Sequence, residues 1–369
     1  MTGAIGAWLG GIYLVATAVL IATWAAMRAL RQPARRLFVA RCGAVALAGL
    51  VLASAVAALP MRDRAGRDGL RPVLAASDRR PAPASISAAV SCSRPAPASD
   101  RAISGCEVPP AVDPPGDSGS LAGAVVVAFL IGSGVTGLWL LGGAWAAWRF
   151  VARTIEAPGS LRDQLAGVVG PGRRVPALRV GPASGQPFAI GAFRPTIVLP
   201  GRFAGGVGPD RRVEAALRHE WAHIGNGDLA LLALLRWLMP VLFAHPAYWW
   251  LRRRVRADQE AMADAVAVRG CDRVGYAEAL LAWARSASPG ACRACAGSLG
   301  LWDRPGELRE RVALILDAGH PVEIRSPLRW RLLVASAASA GGLALAGFAM
   351  PAEAPAPPPA DSLVLCCPS

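Results

Sequence analysis

A short segment of the chain, Arg218 to Asp228 (RHEWAHIGNGD), contains two histidines four residues apart, with a glutamate directly after the first. The flanking sequence VEAALRHEWAHI has no proline and places apolar residues at helical spacing, so it predicts a helix. Residues four apart share one face of a helix, and two imidazoles there can bind one zinc ion. His219 and His223 are therefore candidate zinc ligands, and Glu220 is a candidate general base beside a zinc-bound water.

A catalytic zinc site needs a third protein ligand. The segment Asp258 to Asp264 (DQEAMAD) contains Glu260 and Asp264, again four residues apart and on one face of a predicted helix. Glu260 is the candidate third ligand, and Asp264 would hydrogen-bond the non-ligating nitrogen of a ligand histidine. An acidic helix face that balances nearby arginines is the alternative interpretation. Asp228 is a candidate supporting residue, either as a helix cap or as a partner of the site.

The composition indicates a membrane protein with one soluble portion. The 369 residues are 54% hydrophobic, which is too apolar for an ordinary soluble domain. The net charge is +14, and the chain has arginine but no lysine. Arginine without lysine, together with abundant Ala, Gly and Pro, is typical of a GC-rich bacterial genome. Because much of the arginine flanks apolar segments, anchoring at a membrane surface explains it better than nucleic-acid binding.

Four apolar segments are long enough to span a bilayer: Ile5 to Met27, about Cys42 to Leu59, Leu121 to about Trp145, and about Leu332 to Ala349. The loop between the first two has no acid and five arginines, Arg28, Arg31, Arg35, Arg36 and Arg41. The positive-inside rule places this loop in the cytoplasm. We therefore expect a multi-pass protein of the bacterial inner membrane, with both termini outside. The domain with the candidate zinc site, whose HExxH pattern is typical of metallopeptidases, is expected in the cytoplasm.

These spans divide the chain into six predicted regions: two spans with the arginine-rich loop (1–60), a flexible extracytoplasmic loop (61–120), a third span (121–149), a cytoplasmic metallopeptidase domain (150–331), a fourth span (332–350) and a short extracytoplasmic tail (351–369). A fifth apolar run, 229–251, contains a charged residue and two prolines. This favours a re-entrant or membrane-surface helical hairpin over a full crossing. The sequence leaves open whether Cys92 and Cys106 in the outer loop form a disulfide.

Several motifs, in this order, resemble the BlaR/MecR-type membrane zinc metallopeptidases, which include the β-lactam-sensing antirepressors. They are PFAIGAFRPTIVLP (187–200), HEWAHIGNGD, an apolar hairpin that ends in HPAYWW, RVRADQEAMAD and LRERVALIL (308–316). The resemblance covers about residues 120 to 350 and is strongest over 187–265. The sensor members carry an outer penicillin-binding domain after the fourth span, whereas only 351–369 follow it here. Direct β-lactam sensing is therefore not expected, and the inducing signal stays open.

The resemblance implies a mainly α, polytopic membrane protein with four transmembrane helices and a cytoplasmic gluzincin-like HExxH…ExxxD zinc peptidase domain. It implies one Zn²⁺ per chain, held by His219, His223 and Glu260, with Glu220 as general base. It also suggests a cytoplasmic protein substrate, a small winged-helix repressor, with the peptidase's own chain as a second substrate. We expect contact with the lipid bilayer and no direct contact with nucleic acid.

Two other functions stay open from the sequence. One is an HtpX-like peptidase that clips membrane proteins for quality control, and the other is a non-catalytic membrane scaffold or signal transducer. The intact set of His219, Glu220, His223 and Glu260 argues against the scaffold, since a protein that does not cut has no need of Glu220. The donor that stabilises the oxyanion is not identified; His245, Tyr248 and nearby arginines are candidates. The oligomeric state also stays open.

Overall fold

The computed structural model describes residues 2–75, 118–182, 186–203, 210–269, 271–285, 305–317, 319 and 322–349. The described chain is mainly helical, as the sequence predicts. Its helices are α1 (Thr2–Ala29), α2 (Pro33–Ala75), α3 (Ser118–Ala152), α4 (Gly159–Val169), α5 (Arg211–Gly225), α6 (Asp228–Trp237), α7 (Met239–Leu242), α8 (Pro246–Val268), α9 (Arg273–Arg285), α10 (Pro305–Leu316) and α11 (Leu328–Ala349). The predictions on Cys92, Cys106 and the tail 351–369 lie outside the described residues.

Three helices are long and apolar enough to cross a membrane: Trp8–Ala29, Pro33–Val56 and Gly123–Ala152. They coincide with the first three predicted spans. The predicted fourth span lies in α11, which is not among these three, and it stays a prediction. α2 continues as a helix to Ala75, past residue 60, where the sequence predicted a flexible loop.

The fifth apolar run forms helices that pack against the first two spans. It is divided into α6, α7 and the start of α8, with Pro240 and Pro246 in the first turns of the last two, where a proline costs no helical hydrogen bond. One core of buried side chains joins α1 and α2 to these helices, including Leu20, Leu47, Leu235, Leu242 and Leu251. The run is apolar because it contacts both spans.

The third span has a different environment. Few residues of α3 are buried, and its exposed side chains are large and apolar, among them Leu130, Ile131, Leu138 and Leu141. An exposed apolar surface of this kind suits contact with lipid. α3 meets the rest of the protein mainly through α1 and α7.

A small sheet follows α3 and was not predicted from the sequence. Its strands are β1 (Ile155–Glu156), β2 (Ala177–Val180), β3 (Phe188–Ile190) and β4 (Thr196–Leu199), in the order β1-β2-β4-β3. β2 and β4 are parallel, and the outer strands β1 and β3 are antiparallel to their neighbours. Strands this short do not establish an alternating pattern in a sequence.

Helix α5 lies between the sheet and the C-terminal helices, so both of its faces are packed. Val213 and Leu217 join Leu165 of α4 and the strand residues Ile197 and Leu199 in one core. Ala215 and Ala216, on another face, join a second core with residues of α8, α9 and α10, among them Ala267, Tyr276, Leu280 and Ile315. This packing fixes α5 against α8, and these two helices carry the candidate metal ligands.

The close approach of the first two spans depends on Gly43, which is buried in α2. A Cβ at Gly43 would collide with Thr23 of α1, whereas a Cβ at Gly49, on the same helix, would meet nothing within 4 Å. Small residues allow membrane helices to approach closely.

We predict that Gly43→Ala lowers the free energy of unfolding by about 1–3 kcal/mol, because the added methyl group overpacks the α1–α2 contact. Gly49→Ala is the matched control and should leave stability unchanged or slightly higher. Thermal unfolding of the two detergent-purified variants checks this. Equal melting temperatures would contradict the close contact at Gly43.

Candidate metal centre

The helix α5, which carries the HExxH segment, has clear start and end signals. Asp210 is its N-cap, and the Asp210 carboxylate accepts a hydrogen bond of 2.8 Å from the Arg212 amide. The helix ends at Gly225, and Gly227 follows with φ +71°, a left-handed conformation that favours glycine. The chain thereby turns at once into α6, which begins at Asp228. This turn brings Asp228 back to the end of α5.

Three candidate ligands converge between α5 and α8. The Nε2 atoms of His219 and His223 lie 3.2 Å apart. The Glu260 carboxylate lies 3.4 Å from Nε2 of His219 and 3.9 Å from Nε2 of His223. Each residue offers one ligand atom, and these three atoms all lie within 4.8 Å of one another. All three residues are buried. The structure therefore brings together the three residues that the sequence proposed as ligands.

Asp264 and Tyr276 orient His219. Nδ1 of His219 lies 3.1 Å from an Asp264 carboxylate oxygen and 3.0 Å from the Tyr276 hydroxyl. The Tyr276 hydroxyl donates to the same Asp264 oxygen at 2.7 Å. These contacts engage Nδ1 and leave Nε2 directed at His223 and Glu260. A carboxylate behind a ligand histidine fixes the ring and its tautomer, which is the role that the sequence proposed for Asp264.

Asp228 does the same for His223. Oδ2 of Asp228 lies 2.9 Å from Nδ1 of His223, and the Asp228 backbone carbonyl accepts a hydrogen bond from Gln259 of α8 at 3.3 Å. The Asp228 side chain is fully buried. Of the two roles proposed from the sequence, the contacts give Asp228 that of a hydrogen-bond partner within the site.

Arg311 of α10 places a positive charge behind Asp264 and Glu260. Its guanidinium donates to both Asp264 oxygens, at 2.7 and 2.8 Å, and lies 3.1 Å from the Glu260 carboxylate. All three side chains are buried. An unpaired charge in such surroundings costs several kcal/mol, so Arg311 makes the paired carboxylates tolerable in the interior.

The pKa values of the site follow from these contacts. Burial disfavours the charged form of His219, but its bonds to Asp264 and Glu260 outweigh burial and raise the pKa of His219 to about 10. Burial opposes ionisation of Glu260 as well, but the Arg311 charge outweighs it and lowers the pKa of Glu260 to about 2. Arg311 similarly holds the pKa of Asp264 well below its usual range. Carboxylate and imidazolium are thus paired in the metal-free protein.

Glu220 is the buried carboxylate of the group without a salt bridge among the described residues. Its Oε2 atom is buried and has no hydrogen-bond partner there. Burial raises the pKa of Glu220, while the charges of His219 and His223 and a backbone hydrogen bond from Ala189 of β3 act against that rise. A carboxylate with these properties suits proton transfer.

The donor set fits a metal ion. Two imidazole nitrogens and one carboxylate are a common ligand set for catalytic zinc, which keeps a fourth position for water. Each histidine has a carboxylate at its other ring nitrogen, as metal-bound histidines usually have. The buried Oε2 of Glu220, which no described residue hydrogen-bonds, can accept a hydrogen bond from a water molecule at the site.

The two oxyanion candidates from the sequence lie in the core shared with the spans. Nε2 of His245 contacts the Thr17 hydroxyl of α1 at 3.0 Å. The Tyr248 hydroxyl donates to the Leu235 carbonyl. Neither side chain makes a described contact with the metal ligands. Their position at the N-terminal end of α8, the helix that also carries Glu260, therefore does not bring them to the candidate ligands.

Tyr276 and Arg311 were not predicted as site residues from the sequence. Arg311 lies in LRERVALIL, which the resemblance to the family had singled out, but an arginine among other arginines gives no sign of burial. Tyr276 is one of three tyrosines in the chain and belongs to no motif. Both reach the site from helices that follow the ligands in the chain, so their contacts are set by packing.

The sequence model of the family described as BlaR1 peptidase M56 matches residues 117–315. The matched range includes the candidate ligands, Glu220, Asp264, Tyr276 and Arg311. It excludes α1, α2 and α11. A comparison with curated proteins finds no match.

We predict that Arg311→Met destabilises the metal-free protein by about 3–5 kcal/mol, because it leaves Glu260 and Asp264 buried without their cation. Bound zinc returns a positive charge to Glu260, so the loss should be smaller in the zinc-loaded protein. Melting temperatures with and without zinc check this. Arg309→Met, at an exposed position of the same helix, is the control. Equal losses in both forms would contradict the link between Arg311 and the ligand carboxylate.

Metal uptake should release protons. Below pH 10 the raised pKa of His219 keeps its imidazole protonated in the metal-free protein, and a metal needs the unprotonated ring. We expect apparent affinity for zinc to rise with pH, about tenfold per unit through the neutral range for one released proton. Calorimetry in two buffers of different ionisation enthalpy counts the protons. An affinity that does not change between pH 6.5 and 8.5 would contradict this prediction.

Proposed function

Because the chain belongs to the BlaR1 peptidase M56 family, we propose that it is a membrane zinc endopeptidase that cleaves a cytoplasmic transcriptional repressor and its own chain. The family makes it a membrane-associated metallopeptidase. The finer proposal rests on one observation above all, the convergence of His219, His223 and Glu260 beside the buried Glu220. The three apolar helices support attachment to the membrane.

The metal proposed at this site is zinc, held by His219, His223 and Glu260. When bound, it supplies a Lewis acid that lowers the pKa of a water ligand and polarises the scissile carbonyl. Asp264 with Tyr276, and Asp228, hold the rings of His219 and His223 so that both present Nε2 to the same point. The protein thus supplies a ligand set that is oriented before the metal arrives.

Glu220 is proposed as the general base. Its carboxylate takes a proton from the attacking water and later gives it to the leaving amine. Burial raises the pKa of Glu220, which makes its carboxylate a stronger base for taking the proton from water. The free Oε2 atom is the acceptor for the first of these transfers.

An extended substrate segment is proposed to lie along β3. This strand is at the edge of the sheet and pairs with β4 alone among the described strands. The backbone of its middle residue, Ala189, forms a hydrogen bond with the Glu220 carboxylate. A peptide added to an open strand edge gains main-chain hydrogen bonds without regard to sequence, and here it would be held close to the base.

The choice of a repressor as substrate rests on the family and on the predicted topology. By the positive-inside rule the arginine-rich loop before α2 is expected in the cytoplasm, and so is the peptidase domain that follows the third predicted span. A winged-helix repressor would meet the domain there. An HtpX-like quality-control peptidase would have the same metal centre and differ in its substrate. A non-catalytic transducer would have no use for the buried Glu220.

The test measures metal content and proteolytic activity of three detergent-purified proteins: the wild type, Glu220→Gln and Glu214→Gln. Glu214 is on the same helix but forms a surface ion pair with Arg218, so it is a matched control. We expect about one zinc per chain in all three proteins. Only Glu220→Gln should lose cleavage of a co-expressed winged-helix repressor and of the chain itself, by about two orders of magnitude or more.

Other outcomes would overturn parts of the proposal. Absence of bound metal from all three proteins would exclude the metal centre. Cleavage by Glu220→Gln at the wild-type rate would exclude Glu220 as the base. Cleavage of unfolded membrane proteins but not of the repressor would support quality control instead.

A further inference from the structure

Arg41, which the sequence assigned to the arginine-rich loop at the membrane surface, contacts the metal centre. It lies on α2, in the helix Pro33–Val56 that is long enough to span a membrane. Its Nη2 donates to the carbonyl oxygen of Asn226, at the end of α5. The same nitrogen lies 3.3 Å from Oδ1 of Asp228. Both acceptors belong to the turn that joins the HExxH helix to α6.

Asp228 connects Arg41 to a metal ligand. One of its oxygens faces Arg41, and the other lies 2.9 Å from Nδ1 of His223. Asp228 is fully buried, whereas Arg41 is partly exposed. A buried carboxylate between a cation and an imidazole is held in a defined orientation by both, and that orientation sets the direction of the His223 ring.

A second contact fixes α2 to the other ligand helix. Arg36 binds both oxygens of Asp258 on α8, at 2.6 to 3.1 Å, and Asp258 is almost fully buried. Asp258 precedes the ligand Glu260 by two residues. The same span is therefore bound to α5 through its C-terminal turn and to α8 directly. These contacts are more specific than lipid anchoring requires.

We propose that Arg41 is a positioning residue for the metal ligand His223, acting through Asp228, so that the second membrane span is part of the metal centre. The proposal rests on the proposed function, since it presumes that His223 binds a metal. It goes further, because Arg41 lies outside the range 117–315 that the family matches. The orientation of His223 then depends on where α2 stands relative to the turn after α5.

The experiment measures binding of Zn²⁺ and Co²⁺ to the full chain in detergent, by competition with a chromogenic chelator and by the visible absorption of bound Co²⁺. The variants are Arg41→Gln, Asp228→Asn and the double variant. Loss of a partner behind a metal ligand typically weakens binding by 10–100-fold. We expect a loss of about tenfold for Arg41→Gln, together with a changed Co²⁺ spectrum, which a purely structural role would not alter.

The double variant decides whether Arg41 acts through Asp228. If it does, Arg41→Gln should weaken binding little further once Asp228→Asn is present, because the relay is already broken. Arg41→Lys keeps the charge and should recover part of the affinity. Arg31→Gln, at an exposed position just before α2, is the control and should bind as the wild type does.

Two results would overturn this proposal and leave the proposed function standing. In the first, Arg41→Gln has the metal affinity and the Co²⁺ spectrum of the wild type. In the second, the loss of metal affinity in Arg41→Gln adds in full to the loss in Asp228→Asn. If Arg41→Gln does not fold, the cycle is run with Arg41→Lys, whose smaller loss should likewise vanish in the Asp228→Asn background. A wild-type protein that binds neither metal is a different result, because it would overturn the proposed function itself.

Discussion

The pairing of buried charges is the interaction on which this structure depends. Asp228, Glu260, Asp264 and Arg311 are all removed from solvent at the meeting point of α5, α8 and α10. Each carboxylate contacts a cation or a histidine, and an unpaired charge at these positions would be costly to bury. The helices must pack in one arrangement to satisfy all of these charges. That arrangement also points two imidazoles and one carboxylate at the same place.

The packing around this group explains how the ligands stay in position. α5 is fixed on one side by the sheet core and on the other by α9 and α10. α8 is fixed by the core that it shares with α1 and α2. The two ligand helices thus share one core, and each also packs into a core that the other does not enter. A metal site built on packed helices holds its ligands more accurately than one built on loops.

The helices that are long enough to span the membrane also contact the candidate metal centre. α6 and α7 lie against α1 and α2, and the arginines at the start of α2 bind carboxylates beside the metal ligands. The positive-inside rule accounts for arginines in this loop, but it does not account for their individual partners. Arginines that orient a span by the positive-inside rule can therefore also form ion pairs with the adjacent domain.

Sequence alone determined the helical character, three of the apolar helices and the candidate ligand set, because each depends on local spacing. Four-residue intervals place His219 with His223, and Glu260 with Asp264, whatever surrounds them, and long apolar runs reveal spans by length. The sheet could not be predicted from the sequence, because its strands are too short to show an alternating pattern of apolar and polar residues. Arg311, Tyr276 and Arg41 were missed because they lie far along the chain from the ligands that they support. Only tertiary packing decides which distant cation meets a buried carboxylate, since the cost of burying a charge depends on its three-dimensional surroundings and not on its neighbours in sequence.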